Sequence, residues 1–454
     1  MTSAAEQFAQ NITFSSFAKA EELKKRLLFT LGALIVYRLG TYIPLPGINP
    51  AAFAQAFQSQ SGGLLGTLNI FAGGAVERMA IFALNIMPYI SASIILQLMT
   101  AVIPTLEKLK KEGEQGRRQI NQYTRYLTVF LATMQGYFIA VSLQSSVGTG
   151  LSVVNNPGPF FILTTVVTLV GGVMFLLWLG EQITARGVGN GVSLLIFAGI
   201  VAELPRAAAG LFALGRGAGP SGASLPGGTV IVVAALALAL VAFVVFMERS
   251  QRRILVQYPR RQVGMRMTQG EKSHLPLKLN PSGVIPPIFA SSLLLLPATA
   301  AGAIGTDSPE VLQNLQIWFA PGRPLYIALY AALIISFTFV YTSIVFNVED
   351  VADNLKKYGG FIQGYRPGQR TAEYLDFVVS RLTVIGAVYL TAVCILPELL
   401  KMGSNNAIPV YIGGTSLLIV VSVTLDTVGQ IQGHLIAQQY ESLIKKSKLR
   451  GSRT

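Results

Sequence analysis

The chain has 454 residues, of which 52% are hydrophobic and 12% charged, with a mean hydropathy of +0.53. Soluble domains carry about 25% charged residues, so this composition excludes a water-soluble globular protein and points to one embedded in a membrane. The net charge of +14, from 35 Lys and Arg against 21 Asp and Glu, suits a membrane surface or an anionic partner such as RNA, while a single cysteine excludes an intramolecular disulfide framework. Cys394 lies in an apolar run and reads as a small buried hydrophobe.

Residues 1–26 lack the apolar core and cleavage site of a secretory signal, and read as a cytoplasmic N-terminal segment. Ten apolar runs follow, near 27–43, 79–103, 126–145, 160–180, 192–208, 228–247, 284–302, 324–347, 374–400 and 411–431. Each is long enough to cross about 30 Å of hydrocarbon, which takes about 20 helical residues. The stretch GGLLGTLNIFAGGAV (62–76), between the first and second runs, is too short to span and is flanked by glycine pairs that supply hinge conformations. Segments on one side of the membrane carry 28 Lys and Arg, those on the other side 5, and Arg38 and Arg381 lie inside runs. This asymmetry places both termini in the cytoplasm.

The cytoplasmic loops 248–283 and 348–373 are long and basic. The alternation around ILVQY in the first predicts a protruding strand-rich hairpin. The second pairs a short helix with a Gly- and Pro-rich tip. Residues 434–454 form a basic cytoplasmic tail.

Two internal echoes divide the chain. IMPYI (86–90) in the second run matches VIPPI (284–288) in the seventh, and GNGVSLLIF (189–197) in the fifth matches GGTSLLIVV (413–421) in the tenth. Each pair is five spans apart, so halves 27–208 and 228–433, joined by an external hinge loop at 209–227, are inverted in the bilayer. Proline in an apolar helix removes a backbone hydrogen bond and clashes with the preceding turn, so Pro88 and Pro286 predict helices broken at a pathway between the halves. Mid-span residues there are mostly Ile, Leu and Val, which form a constriction that seals against ions yet yields around something bulky.

The motifs YRLGTYIPLPGI (37–48), IFALNIMPYISASI (81–94), EGEQGRRQINQYTRY (112–126), GEQITARGVGNGVSLLIFAGIV (180–201), LNPSGVIPPIFASS (279–292), ADNLKKYGGFIQGYRPG (352–368) and GGTSLLIVV (413–421), in this order, resemble the SecY family of bacterial protein-translocation channels. The resemblance implies an all-α fold of ten transmembrane helices in two inverted five-helix halves, with a lateral gate between spans two and seven. It implies a pore ring of Ile86, Ile90, Val192, Ile196, Ile288 and Ile419. It further implies a plug helix within 62–76 comprising Leu64, Leu65, Gly66, Thr67, Leu68, Asn69, Ile70 and Phe71. Ser91, Gln97 and Asn280 are expected to hydrogen-bond across the gate seam. Arg260, Arg261, Arg266, Lys356, Lys357 and Arg366 would dock partners on the cytoplasmic loops. The implied partners are the small membrane subunits SecE and SecG, the motor ATPase SecA, the ribosome with its RNA, signal sequences and nascent chains, and the phospholipid bilayer. The implied location is the bacterial inner membrane. Asn85, Met265, Gln363 and Tyr365 depart from the family's usual residues.

No Gly-Lys dipeptide is present, so a Walker phosphate loop cannot form. GVGNG lacks the strand and acidic partner of a dinucleotide site and reads as a turn, and His274 and His434 lack metal-ligand spacing. The chain is therefore read as a non-enzyme without cofactor. A secondary transporter of a small solute shares inverted repeats, but it requires ionisable side chains at a midplane cavity, whereas Arg38, Asp376, Arg381, Glu398 and Asp426 lie toward span ends. A docking receptor without a pathway is the third reading.

Overall fold

The computed structural model describes residues 21–60, 69, 71–145, 153–216, 227–258, 262–263, 266–267, 272–303, 323–403 and 414–451. All ten expected spans contain helix: α1 (Glu21–Gly40), α3 (Met87–Val102), α5 (Glu114–Ser145), α6 (Pro159–Arg186), α7 (Gly191–Gly215), α8 (Gly227–Arg249), α9 (Ile285–Ala303), α10 (Pro324–Val345), α12 (Gln369–Gly403) and α13 (Gly414–Gly451). Between them lie α2 (Pro50–Gln60), α4 (Pro104–Lys111) and α11 (Val348–Lys357). Among the described residues, seven helices are individually long and apolar enough to cross a bilayer, and the bent pair α3–α4 makes an eighth if counted as one span.

Prolines open several of these helices, and the two expected to break spans two and seven do not interrupt α3 or α9. Pro88 stands in the first turn of α3 and Pro286 is the second residue of α9, positions where the missing N–H would have had no helical acceptor. Pro104, Pro159 and Pro324 open α4, α6 and α10 in the same way. At Pro104 the preceding Ile103 is forced extended (φ −96°, ψ 114°) and the chain bends by 100°. The second span therefore differs from the helix expected over 79–103. Residues 72–86 form a run of turns, with Met79 and Asn85 at positive φ, and helix begins only at Met87.

The apolar cores follow the two halves. One cluster, including Ala72, Ala75, Met79, Ala80, Phe161, Leu169 and Val173, fills the N-terminal half. Another, including Val244, Ile334, Leu390, Val393 and Leu418, fills the C-terminal half. A third lies between them and takes residues from both. Near the C-terminus, α13 runs on as helix well into the basic segment after residue 434. There Leu435 packs with Leu23 and Val188, and the Gly189 N–H donates to Gln430 Oε1 at 2.9 Å, so the GVGNG turn joins the halves.

The loop after α8 forms the expected hairpin, β1 (Gln251–Gln257) against β4 (Lys272–Lys278), antiparallel from Gln251 opposite Lys278 to Gln257 opposite Lys272. Its tip carries β2 (Gln262–Val263) and β3 (Arg266–Met267). The second loop adds β5 (Phe361–Ile362) to the free edge of β1, giving the order β4-β1-β5. Ile254, Val256, Leu277 and Ile362 bury this sheet against Leu375, Val378, Val379 and Leu382 of α12.

The echoed motifs have equivalent surroundings. Gly191 opens α7 with a notional Cβ 1.9 Å from the Gly180 carbonyl oxygen, and Gly414 opens α13 with one 1.9 Å from that of Val393. In each half a glycine thus lets the helix start press against the backbone of the preceding span. Any side chain there must push rigid backbone aside, and such overpacking costs about 1–3 kcal/mol. Gly191→Ala and Gly414→Ala are each expected to lower the thermal unfolding midpoint in detergent, and an unchanged midpoint for both would contradict this packing.

Candidate pore and gate

The six residues expected to form a ring come from four helices of both halves and meet in the interhalf cluster. Ile86 immediately precedes α3 and Ile90 lies on its first turn. Ile196 projects from α7 and Ile419 from α13; all four are buried, with Ile86 and Ile419 each 1% exposed. Val192 of α7 and Ile288 of α9 are half-buried and pack against them. Branched apolar side chains from both halves thus share one packed cluster. Phe71, Leu179, Ile183, Leu195 and Ile200 surround it, and Phe289 brings in Phe337 and Tyr341 by edge-to-face contacts at 6.1 and 5.9 Å.

Of the expected plug, Leu64, Leu65, Gly66, Thr67, Leu68 and Ile70 lie outside the described residues. Asn69 and Phe71 are buried. Asn69 Oδ1 accepts from the Glu77 N–H at 2.9 Å and its carbonyl accepts from the Gly74 N–H at 3.0 Å. The emerging segment is pinned to the N-terminal half at three points. Arg38 Nη1 of α1 donates to the Gly73 carbonyl, Asn85 Nδ2 donates to the Phe71 carbonyl, and Arg206 of α7 grips Glu77, with Nη2 at 3.0 Å from Oε1. Arg38 and Arg78 also flank the Tyr42 ring, their guanidinium carbons 5.4 and 4.1 Å from its centroid. The sequence reading places Arg38 toward a span end without this partner, and it assigns nothing to Glu77 or Arg206, because the ion pair joins residues far apart in sequence.

At the seam, α9 packs on both α3 and α5. The expected polar bridge differs from the one observed. Ser91 is buried, Gln97 is exposed, and Asn280 turns into its own half, donating to Glu248 Oε1 at 2.9 Å and to the Gly283 carbonyl at 3.0 Å while accepting from Ser282 Oγ at 2.9 Å. Asn280 precedes Pro281 and the turn before α9, and the carboxylate at the end of α8 accepts a charge-assisted bond, stronger than one to a neutral group. The polar contact that does cross is weak: Ser292 Oγ lies 3.9 Å from Met87 Sδ.

On the two long basic loops, Lys356, Lys357 and Arg366 are exposed. Arg366 sits in a tip shaped by Gly364 and Gly368 at positive φ, with its carbonyl fixed by Thr371 Oγ1 at 2.8 Å. Tyr365, one of the departures noted in the sequence, stacks on Tyr374 of α12 at 4.2 Å. Arg266 lies in β3; Arg260, Arg261 and Met265 fall outside the described residues.

A multi-pass helical fold whose two halves meet in an apolar cluster is a membrane-channel architecture. A family model described as SecY matches residues 80–428, and the chain belongs to the SecY family. It is 53% identical over 431 residues to the protein translocase subunit SecY of Pseudomonas aeruginosa, covering 95% of each chain. It is 51% identical to those of Rickettsia bellii, covering 95% of this chain and 98% of that one, and of Escherichia coli, covering 95% and 96%. Among solved structures, a protein conducting channel superposes with a TM-score of 0.62 at 16% identity, covering 90% of this chain and 92% of that one. Sec61 in a canine ribosome–channel complex gives 0.59 at 16%, with the same coverage. The chain is thus a protein-conducting channel of the membrane.

Because Asn280 is the hydrogen-bond donor to a partly buried carboxylate, Asn280→Ala is expected to destabilise the C-terminal half by about 1.5–3 kcal/mol, the range for bonds to charged groups. The check is the thermal unfolding midpoint of the variant against Glu248→Gln/Asn280→Ala, in which the charge is also removed and part of the loss is recovered.

Proposed function

We propose that the chain is the pore subunit of a bacterial inner-membrane translocon with both termini in the cytoplasm. Unfolded secretory polypeptides pass through the ring of Ile86, Ile90, Val192, Ile196, Ile288 and Ile419. Apolar segments leave sideways between α3 and α9, and the segment from Leu64 to Phe71 acts as a plug. The observation that carries this reading is the convergence of six branched apolar side chains from both halves into one packed cluster. Such a ring resists ions through the low polarity of its lining, yet its side chains can part around a chain. The seam suits a gate because α9 meets α3 mainly by apolar packing and one soft sulfur contact.

SecE and SecG are the membrane subunits expected to brace the two halves. SecA and the ribosome would engage the exposed Arg366, Lys356 and Lys357, together with Arg260, Arg261 and Arg266 at the hairpin tip. Guanidinium forks suit both RNA phosphates and acidic protein surfaces. Driving force comes from those partners, since the chain has no nucleotide-binding loop.

The decisive experiment is crosslinking during arrested translocation, with Ile86→Cys or Ile288→Cys in a Cys394→Ser background and a second cysteine in a secretory chain. Crosslinks at both positions that depend on the signal sequence and on the motor are expected; their absence from an assembled complex would refute the pathway. Separately, Arg366→Glu is expected to reduce SecA-driven secretion at least tenfold with the complex still assembled, and normal secretion would remove Arg366 from the partner site.

A further inference from the structure

Asn85 stands at φ +50°, in left-handed backbone that asparagine tolerates better than most residues with a side chain. Its side chain is 2% exposed, and Nδ2 donates to the carbonyl oxygen of Phe71, fourteen residues earlier. Oδ1 has no partner, so burying this amide is unfavourable apart from that one bond. The Phe71 carbonyl also lies against α7: a Cβ on Gly199 would stand 2.6 Å from it. It is therefore held between α7 and the residue directly preceding Ile86. The Phe71 ring meanwhile belongs to the same apolar cluster as Ile86, Ile90, Ile196 and Ile419.

We propose that Asn85 is a positioning residue of the seal, whose amide latches Phe71 onto the pore ring as a seventh side chain of the closed constriction. Glycine at this position keeps the backbone turn but leaves Phe71 unlatched. An asparagine makes opening conditional on breaking one buried hydrogen bond next to the first ring residue, so the bond couples displacement of Phe71 to movement at the start of α3. The inference rests on the reading of the six side chains as the pore seal.

The test uses the assembled translocon in sealed vesicles, with resting ion leak as readout. Asn85→Gly preserves the left-handed backbone and removes the amide. It is expected to raise the leak about three- to tenfold, the factor implied by the net worth of one hydrogen bond. Asn85→Asp, near-isosteric but presenting an acceptor to an acceptor, should leak as well. With Phe71→Cys in a Cys394→Ser background, labelling by a membrane-impermeant thiol reagent should accelerate by a similar factor when Asn85→Gly is added. Leu390→Ala, a core substitution distant from the latch, should lower the unfolding midpoint without raising the leak; if it leaks as much as Asn85→Gly, the latch is overturned. An Asn85→Gly complex as tight and as slowly labelled as the parent, beside a leaky Ile86→Gly, overturns the latch and leaves the seal standing. If Ile86→Gly is tight too, the seal reading fails and the latch with it.

Discussion

Hydrocarbon offers no hydrogen bonds, so every backbone amide within a bilayer must find its partner inside the protein. The rest of this structure depends on how the stretch before α3 meets that constraint. Residues 72–86 are not helical, yet most are buried. Their amides are satisfied by tight turns, such as Met79 N–H to the Val76 carbonyl at 2.9 Å and Ala80 N–H to that of Ala75 at 2.8 Å. Two bridges reach the segment after α1, from Ile81 N–H to the Ile43 carbonyl at 3.0 Å and from Leu45 N–H to that of Met79 at 2.9 Å. This self-contained irregular segment lets α3 begin partway along the span with Ile86 and Ile90 at its head.

The same economy governs the opposite face. Residues 281–284 form a turn ahead of α9, and Ile288 follows on its first turn. Both α3 and α9 therefore bring their opening turns to the cluster between the halves. Such an element can shift as a unit, since its start is held by turns and isolated side-chain bonds and not by continuous helix. The contacts across the interface are chiefly dispersive, which makes them individually small and readily exchanged for contacts with another apolar surface.

Much of this was legible in the residues. Each apolar run that hydropathy marked contains helix, and seven of those helices are individually long and apolar enough to span among the described residues; the alternation around ILVQY located the hairpin. The SLLI echo marked two helix starts whose glycines meet neighbouring backbone in equivalent ways. Other features were misread for identifiable reasons. Proline in an apolar run signals a helix start as readily as a break, and nothing local distinguishes Pro88 in a first turn from Pro205 inside α7. Asn280 looked like a seam residue because sequence cannot show that Glu248, thirty-two positions away, lies closer than the opposite helix. The bonds from Arg38, Asn85 and Arg206 were invisible because each depends on how a turn-rich segment folds back. The one available hint was Asn85 itself, a residue with a tolerance for positive φ that departs from the residue the family resemblance leads one to expect.

The three-stranded sheet outside the membrane has a mechanical consequence. With β5 hydrogen-bonded to β1 and the sheet bedded on α12, the hairpin and the arginine-bearing loop form one stiff handle rather than two independent tethers. At about 3.3 Å per residue, each seven-residue arm of β1 and β4 projects roughly 20 Å. A partner pressing on its tip works at the end of a lever whose fulcrum is α12. Because β4 ends only seven residues before α9 starts, torque applied to the sheet is delivered by the chain itself to the root of α9.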